Sequence, residues 1–128
     1  KGKYVAPAPI EDKLVMHAAL EACCVTGANL GQPLGLVMLN ADAASQAGQP
    51  AGRSVLDGSL GQHLQAVNSG LDPHEQLDRL VVMTVPWTVD NGLITPTFKV
   101  KRNVVEERFG AHYERWSAAR KAVVWMDD

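Results

Sequence analysis

The 128-residue sequence predicts an α+β domain in which a small, mostly antiparallel sheet is covered by helices. Two runs rich in Val, Leu and Cys, Leu20–Thr26 and Leu34–Leu39, have the length of strands and are joined by a glycine-containing loop, which is typical of an antiparallel pair. A third run, at residues 80–85, ends at Pro86 and is typical of a buried strand. Apolar residues at helical spacing around these runs predict the covering helices.

The composition is ordinary for one globular domain, with 46% hydrophobic and 20% charged residues. The formal net charge of −2 gives no general attraction to nucleic acid, so any basic site has to be local. No apolar run approaches the roughly 20 residues that span a bilayer, and the N-terminus lacks the apolar core of a signal peptide. Because the sequence does not begin with Met, we expect it to be a piece of a larger protein.

The only two cysteines, Cys23 and Cys24, are neighbours in the first predicted strand. Adjacent strand side chains point to opposite faces, which disfavours a mutual disulfide or a chelate. A zinc site would need a second ligand pair at suitable spacing. We therefore predict two buried, unreactive thiols in a reducing, cytoplasmic compartment, and no metal site.

The N-terminal segment is extended up to Pro9, because each proline disfavours helix in the residue before it. Ile10 and Leu14 then predict a helix over about residues 9–18, with His17 near its end. After the strand pair, residues 41–52 are small and polar and predict a surface connection with one helical turn.

A long helix is predicted from Ser54, where Ser54 with Asp57 resembles a capping arrangement, to a stop at Gly70. Its apolar stripe comprises Leu56, Leu60, Leu64, Val67 and Leu71. His63 lies beside this stripe and is expected to be a boundary residue, not a ligand.

A short helix follows, with Asp72 as its cap and Pro73 at its first position. Asp72, His74 and Glu75 gather here, but no neighbouring nucleophile completes a catalytic triad. The capped helix start explains both acids, so we predict a structural role.

The C-terminal helix is predicted from about residue 103 to 119, with Asn103 and Glu106 as a cap pair. Residues 121–128 form a tail that could pack back onto the domain through its apolar positions 123–125.

The segment around Lys99 carries the strongest functional signal. A turn at residues 90–92 opens it, and Pro96 keeps it out of the middle of a sheet. Phe98 and Val100 alternate with Lys99 and Lys101, so an extended backbone would bury the first pair and place both ammonium groups on the other side. From the residues alone, these are either solvated strand lysines or groups presented to an anion.

Residues 93–102, Leu-Ile-Thr-Pro-Thr-Phe-Lys-Val-Lys-Arg, resemble the last core motif of the AMP-forming acyl-CoA ligases, in the form used by the long-chain fatty-acid branch. Residues 2–11, Gly-Lys-Tyr-Val-Ala-Pro-Ala-Pro-Ile-Glu, are similar to the segment just after the interdomain hinge of the same enzymes. The resemblance covers nearly the whole chain, although residues 40–70 match only in general character.

The resemblance implies that residues 1–128 form the mobile C-terminal domain of a larger ligase, without its N-terminal domain and hinge. Lys99 matches the lysine that serves adenylation, whereas Lys101 and Arg102 match the basic residues after it and are assigned no chemistry. Gly2, Lys3 and Tyr4 match the segment that forms part of the thioesterification site after domain rotation.

The implied substrates are ATP, coenzyme A and a carboxylic acid, with Mg²⁺ expected on the N-terminal domain. We expect the fragment alone to bind none of them tightly and to be inactive. One alternative is a stand-alone binding or regulatory module that docks an acidic partner or a phosphate through residues 99–102. A nucleic-acid binder is a third interpretation, which the scattered aromatic residues do not favour.

Overall fold

The computed structural model describes residues 4–27 and 30–128, which form a four-stranded sheet with helices on both faces. In chain order the elements are α1 (Pro7–Leu14), β1 (Leu20–Thr26), β2 (Leu34–Leu39), α2 (Ala41–Gln46), α3 (Pro50–Ser69), a 3-10 turn (Pro73–Glu75), β3 (Leu80–Met83), α4 (Arg102–Phe109), a 3-10 turn (Gly110–His112), α5 (Tyr113–Ala118) and β4 (Val123–Trp125). None of the helices in these two ranges combines the length and the apolar character needed to cross a membrane.

The sheet order is β1-β2-β3-β4, and its first pair is the predicted antiparallel hairpin, with Leu20 opposite Leu39 and Thr26 opposite Leu34. The α+β class and the small sheet are confirmed. The expected mostly antiparallel pairing is wrong for the other two pairs, because β2 with β3 and β3 with β4 run parallel. Helical crossovers explain this difference, since a chain that returns through a helix enters the sheet again in the same direction.

Both faces of the sheet are buried, which divides the core into two clusters. On one face α1 and α3 contribute Ile10, Leu14, Leu60 and Leu64. On the other face α4, α5 and the segment at residues 86–101 cover the strands with Trp87, Leu93, Ile94, Val105, Phe109, Tyr113 and Trp116. Burial on both faces explains why the strands are continuous apolar runs without polar alternation.

The helix starts differ from the sequence prediction at two prolines. Helix α1 begins at Pro7 and ends at Leu14, so His17 lies beyond it and not in its last turn. Helix α3 begins at Pro50 with no side-chain cap, so the predicted start and cap at Ser54 are wrong. Proline suits the first helical position because its missing N–H would have no partner there. The predicted stop at Gly70 is confirmed.

Of two predictions for the shorter elements, one is confirmed and one is wrong. The start of the 3-10 turn at Pro73 is as predicted, and the Glu75 carboxylate accepts a hydrogen bond from the Asp72 N–H at 3.2 Å. Strand β3 ends at Met83, two residues before the predicted end at residue 85.

The C-terminal quarter differs from the sequence prediction, because the single helix expected over about residues 103–119 is divided into α4, a 3-10 turn and α5. Helix α4 begins at Arg102, and the proposed Asn103–Glu106 cap is absent from it. The Glu106 carboxylate instead accepts a hydrogen bond from the Thr26 hydroxyl at 2.7 Å. The predicted tail packs onto the domain as strand β4, which pairs with β3.

Candidate functional site

A tight turn sets the direction of the chain before Lys99. Gly92 has a φ of 81°, a conformation that glycine adopts without steric cost. The Asn91 side-chain oxygen accepts hydrogen bonds from the N–H groups of Thr88 at 3.0 Å and Leu93 at 3.3 Å. The turn predicted at residues 90–92 is therefore confirmed, and it directs Leu93 and Ile94 into the core.

Residues 93–101, which we name the lysine hairpin, fold back on themselves beside the main sheet. Ile94 and Val100 form an antiparallel bridge. The Thr95 N–H donates to the Lys99 carbonyl at 2.8 Å, and the Lys101 N–H donates to the Leu93 carbonyl at 2.9 Å. The hairpin lies outside the four-stranded sheet, as the proline in it predicted.

A three-residue loop at residues 96–98 closes the hairpin and corrects one expectation. The Phe98 N–H donates to the Thr95 carbonyl at 2.8 Å, and Phe98 has a φ of 64°. A left-handed residue in the last position is the usual geometry of three-residue hairpin loops. The chain is therefore not extended at Phe98, and this residue is 46% exposed instead of buried.

Lys99 occupies the first position after this loop, with its backbone fixed and its side chain exposed. The Thr95 hydroxyl accepts a hydrogen bond from the Lys99 N–H at 3.0 Å, in addition to the bond to the Lys99 carbonyl. Within residues 4–27 and 30–128, no carboxylate lies within ion-pair distance of the Lys99 ammonium. The geometry thus presents a cation outward from a constrained backbone, and Lys101 is also exposed.

The base of the lysine hairpin is tied to the opposite end of the sequence. The Arg102 guanidinium contacts the Glu11 carboxylate at 2.6 Å and donates from Nε to the Val25 carbonyl at 3.3 Å. The same Glu11 oxygen accepts a hydrogen bond from the Val25 N–H at 2.8 Å. Burial disfavours the charged form of Arg102, but its hydrogen bond to Glu11 and the charge of Glu11 outweigh this effect and raise the pKa of Arg102.

The sequence analysis did not predict the contact between Glu11 and Arg102. Glu11 and Arg102 are 91 positions apart, and each has an ordinary explanation as a surface charge on a helix. Only the packing of α1 and α4 against the edge strand β1 brings the two side chains together.

The other predicted segment falls only partly within the described residues. Gly2 and Lys3 lie outside them, whereas Tyr4 is described and is 81% exposed. Tyr4 lines a cavity of about 290 Å³ to which Arg102 and Glu106 also contribute. The structure therefore brings Tyr4 and the base of the lysine hairpin to one cavity, but Lys99 does not line it.

The remaining reactive side chains have structural surroundings. Burial, followed by the charge of Glu11, raises the pKa of the Cys23 and Cys24 thiols to about 12, so both are protonated at neutral pH. The His63 ring contacts the Leu14 carbonyl at 2.8 Å, in agreement with a boundary position. In the part of the chain that the structure describes, no three His, Cys, Asp or Glu side chains are grouped to hold a metal ion.

Comparison with known proteins identifies the family of the chain. The model of the AMP-binding enzyme C-terminal domain matches residues 1–118. The chain belongs to this family. The resemblance seen in residues 2–11 and 93–102 is thereby confirmed.

Relatives in this family include enzymes of fatty-acid activation. The long-chain-fatty-acid–CoA ligase FadD15 of Mycobacterium tuberculosis is 30% identical over 125 residues, which cover 88% of this chain and 21% of that protein. The chloroplastic long-chain-fatty-acid–[acyl-carrier-protein] ligase AEE15 of Arabidopsis thaliana is 25% identical over 108 residues, which cover 84% of this chain and 15% of that protein. The chain thus spans about a fifth or less of these relatives.

Solved structures agree with the fold. The A domain of the carboxylic acid reductase from Segniliparus rugosus, in complex with AMP and a co-purified carboxylic acid, matches with a TM-score of 0.72 and 25% identity, over 91% of this chain and 18% of that chain. The adenylation domain of the carboxylate reductase from Mycobacterium chelonae has a TM-score of 0.72 at 23% identity, over 88% of this chain and 18% of that chain. The α+β arrangement is therefore that of the C-terminal part of adenylating domains.

Proposed function

We propose that this chain is the C-terminal catalytic lid of an ATP-dependent, AMP-forming ligase that joins a long-chain fatty acid to coenzyme A. The observation that carries the proposal is the exposed Lys99 ammonium on a hydrogen-bonded hairpin, in a chain of the AMP-binding enzyme family. The relative named as a long-chain-fatty-acid–CoA ligase supports this choice of acid and acceptor.

The first half-reaction brings two anions together. A carboxylate oxygen attacks the α-phosphorus of ATP, the bond to the β-phosphate oxygen breaks, and pyrophosphate leaves with the electron pair. Two unit charges 4 Å apart repel by about 4 kcal/mol at an effective dielectric constant of 20. One ammonium between them offsets this repulsion and orients the attack.

The lysine hairpin is suited to supply that ammonium. Lysine is a compact charge on a long stem. Thr95 accepts a hydrogen bond from the Lys99 N–H and donates one to the Lys99 carbonyl, which holds the backbone, while the side chain stays free to reach a site on another domain. Sites for ATP, the acid and Mg²⁺ would lie on the N-terminal domain, which also makes the 128-residue chain inactive alone.

The second half-reaction transfers the acyl group to the thiol of coenzyme A. The thiol sulfur, after losing its proton, attacks the acyl carbon, and AMP leaves. Gly2, Lys3 and Tyr4 would replace Lys99 at the reaction centre after the domain rotates, and glycine there would let a pantetheine arm pass close to the backbone.

The test separates the two half-reactions in the full-length enzyme. Lys99→Ala should slow adenylate formation by about 100-fold or more, while thioester formation from a supplied acyl-adenylate stays within a few-fold of wild type. Lys101→Ala is the matched control, because it removes an exposed ammonium from the same hairpin. Pyrophosphate release measures the first step and thioester formation the second.

A converse variant tests the N-terminal segment. Gly2→Leu should block acyl transfer and spare pyrophosphate release. If Lys99→Ala and Lys101→Ala slow adenylation equally, or if Lys99→Ala impairs both half-reactions to the same extent, the assigned role of Lys99 is wrong.

A further inference from the structure

The contact between Glu11 and Arg102 covers the free edge of strand β1 at Val25. Strand β1 is the first strand of the sheet and, within the described ranges, pairs only with β2. At Val25 the outward N–H donates to Glu11 and the outward carbonyl accepts from Arg102, so these two side chains take the place of a neighbouring strand. Edges covered in this way are protected from pairing with other chains.

The same contact joins the two segments on which the proposed function depends. Arg102 is the first residue of α4 and follows the last residue of the lysine hairpin directly. Glu11 lies on α1, which begins three residues after Tyr4. One ion pair therefore connects the returning arm of the hairpin to the helix that continues from the N-terminal segment.

Two nitrogens of the Arg102 guanidinium are engaged in contacts within the protein. Its Nη2 contacts Glu11 at 2.6 Å and its Nε donates to the Val25 carbonyl. The side chain is only 37% exposed, and that of Glu11 18%. In this respect Arg102 differs from the exposed Lys99 and Lys101, although all three are basic.

The hairpin needs such an attachment. Residues 96–99 are exposed, and the left-handed Phe98 makes the loop an unfavourable conformation for a residue with a side chain. A displacement of about 1 Å at a reacting group can lower a rate by about 100-fold. The Glu11–Arg102 ion pair lies one residue beyond the hairpin, and its two hydrogen bonds to the Val25 backbone hold the base of the hairpin to β1.

We propose that the Glu11–Arg102 pair is a positioning device for Lys99, in which Arg102 acts on adenylate formation only through the placement of the lysine hairpin. The proposal rests on the proposed function of Lys99. It assigns Arg102 no contact with ATP or with the acid.

The experiment uses the full-length enzyme and measures both half-reactions together with the melting temperature. Arg102→Met should lower kcat for adenylate formation by about 10- to 100-fold. It should leave KM for ATP and thioester formation from a supplied acyl-adenylate within about twofold of wild type. Arg102→Lys keeps the charge but lacks the planar fork that reaches two acceptors, so it should recover part of the lost rate.

A second experiment, in the Lys99→Ala variant, distinguishes a positioning role of Arg102 from a direct role in adenylate formation. In Lys99→Ala, adding Arg102→Met should cause no further loss of adenylation, because the group that Arg102 positions is already gone. Glu11→Gln keeps an acceptor for the Val25 N–H but removes the charge, and should cause a smaller loss in the same step. It also serves as the test if Arg102→Met does not fold. Asp127→Asn is the matched control, because it removes another ion pair of the same chain, Arg53–Asp127, and should change neither step.

The possible outcomes separate a failure of the positioning role from a failure of the proposed function. Wild-type adenylation in folded Arg102→Met, a loss of equal size in the Lys99→Ala background, or equal losses in both half-reactions would overturn the positioning role. Wild-type adenylation in Lys99→Ala alone would instead overturn the proposed function, whatever Arg102 does.

Discussion

His17 and His63 lie edge to face, with ring centroids 5.2 Å apart and ring planes inclined at 71°. The His17 Nδ1 accepts a hydrogen bond from the Ala19 N–H at 3.0 Å, which requires that nitrogen to be unprotonated. Its Nε2 then donates to the Ser59 hydroxyl at 2.7 Å. Burial, followed by the charge of His63, lowers the pKa of His17 below 6.5.

The chain should therefore lose stability when the pH falls below 6.5. A lowered folded-state pKa means that the unfolded chain binds the proton more tightly, so stability is full above 6.5 and is lost as the pH falls towards the folded-state pKa of His17. Urea unfolding at a series of pH values measures this slope. His17→Gln should flatten it, and an unchanged slope in that variant would contradict the assignment.

The two cysteines should resist alkylation in the native chain. Burial raises the pKa of both thiols to about 12, which lowers the thiolate fraction at neutral pH by about 1,000-fold. Mass spectrometry after iodoacetamide treatment should find neither thiol modified in buffer and both modified in urea. Rapid labelling of Cys23 or Cys24 without denaturant would show that the edge of the domain opens.

Gly35 should not tolerate even a methyl group. A Cβ at this position would lie 2.8 Å from Leu80 Cδ2, 3.1 Å from Leu77 and 3.2 Å from Leu14. These leucines are buried and cannot move aside freely, so Gly35→Ala should lower the free energy of unfolding by about 1–3 kcal/mol. Urea unfolding of the 128-residue chain checks the value.

Gly58 offers the matched control in the same chain. It lies within α3, it is exposed, and a Cβ there would meet nothing within 4 Å. Gly58→Ala should raise the free energy of unfolding by about 0.5–1 kcal/mol, because alanine loses less conformational entropy in a helix. If both glycine variants changed stability in the same direction, the packing argument at Gly35 would fail.

Thr95 should matter more to adenylation than Thr97. Thr95→Val removes the acceptor for the Lys99 N–H and should slow adenylate formation in the full-length enzyme by about tenfold. Thr97→Val removes only a hydroxyl contact to Thr95, at 3.1 Å, and should have a smaller effect. A reversed order, measured by pyrophosphate release, would argue that the loop is not organised as described.

Two of the strands could be predicted closely from the sequence, because a strand buried on both faces is a continuous apolar run. Leu20–Thr26 is followed by Gly27 and Leu34–Leu39 by Asn40, and β1 and β2 have the predicted limits. The direction of the other two strand pairs could not be predicted, because it depends on where the intervening helices pack. Val123–Trp125 is too short a run to distinguish a strand from a packed tail.

Only the parts of the site that depend on local sequence could be predicted, and those that depend on tertiary packing could not. The turn at Gly92 and the exposed lysine follow from local chemistry that four or five residues determine. The left-handed Phe98 does not, because a phenylalanine gives no local signal for positive φ. The Glu11–Arg102 contact depends on tertiary packing alone.

The sheet is enclosed by the chain's own helices on each side, and this has a mechanical consequence. Such a unit needs no neighbouring domain to cover its sheet, so leaving one contact surface for another exposes little of its hydrophobic core. Under the proposed function it would rotate as a rigid body, and polar contacts at its surface would decide between its two positions.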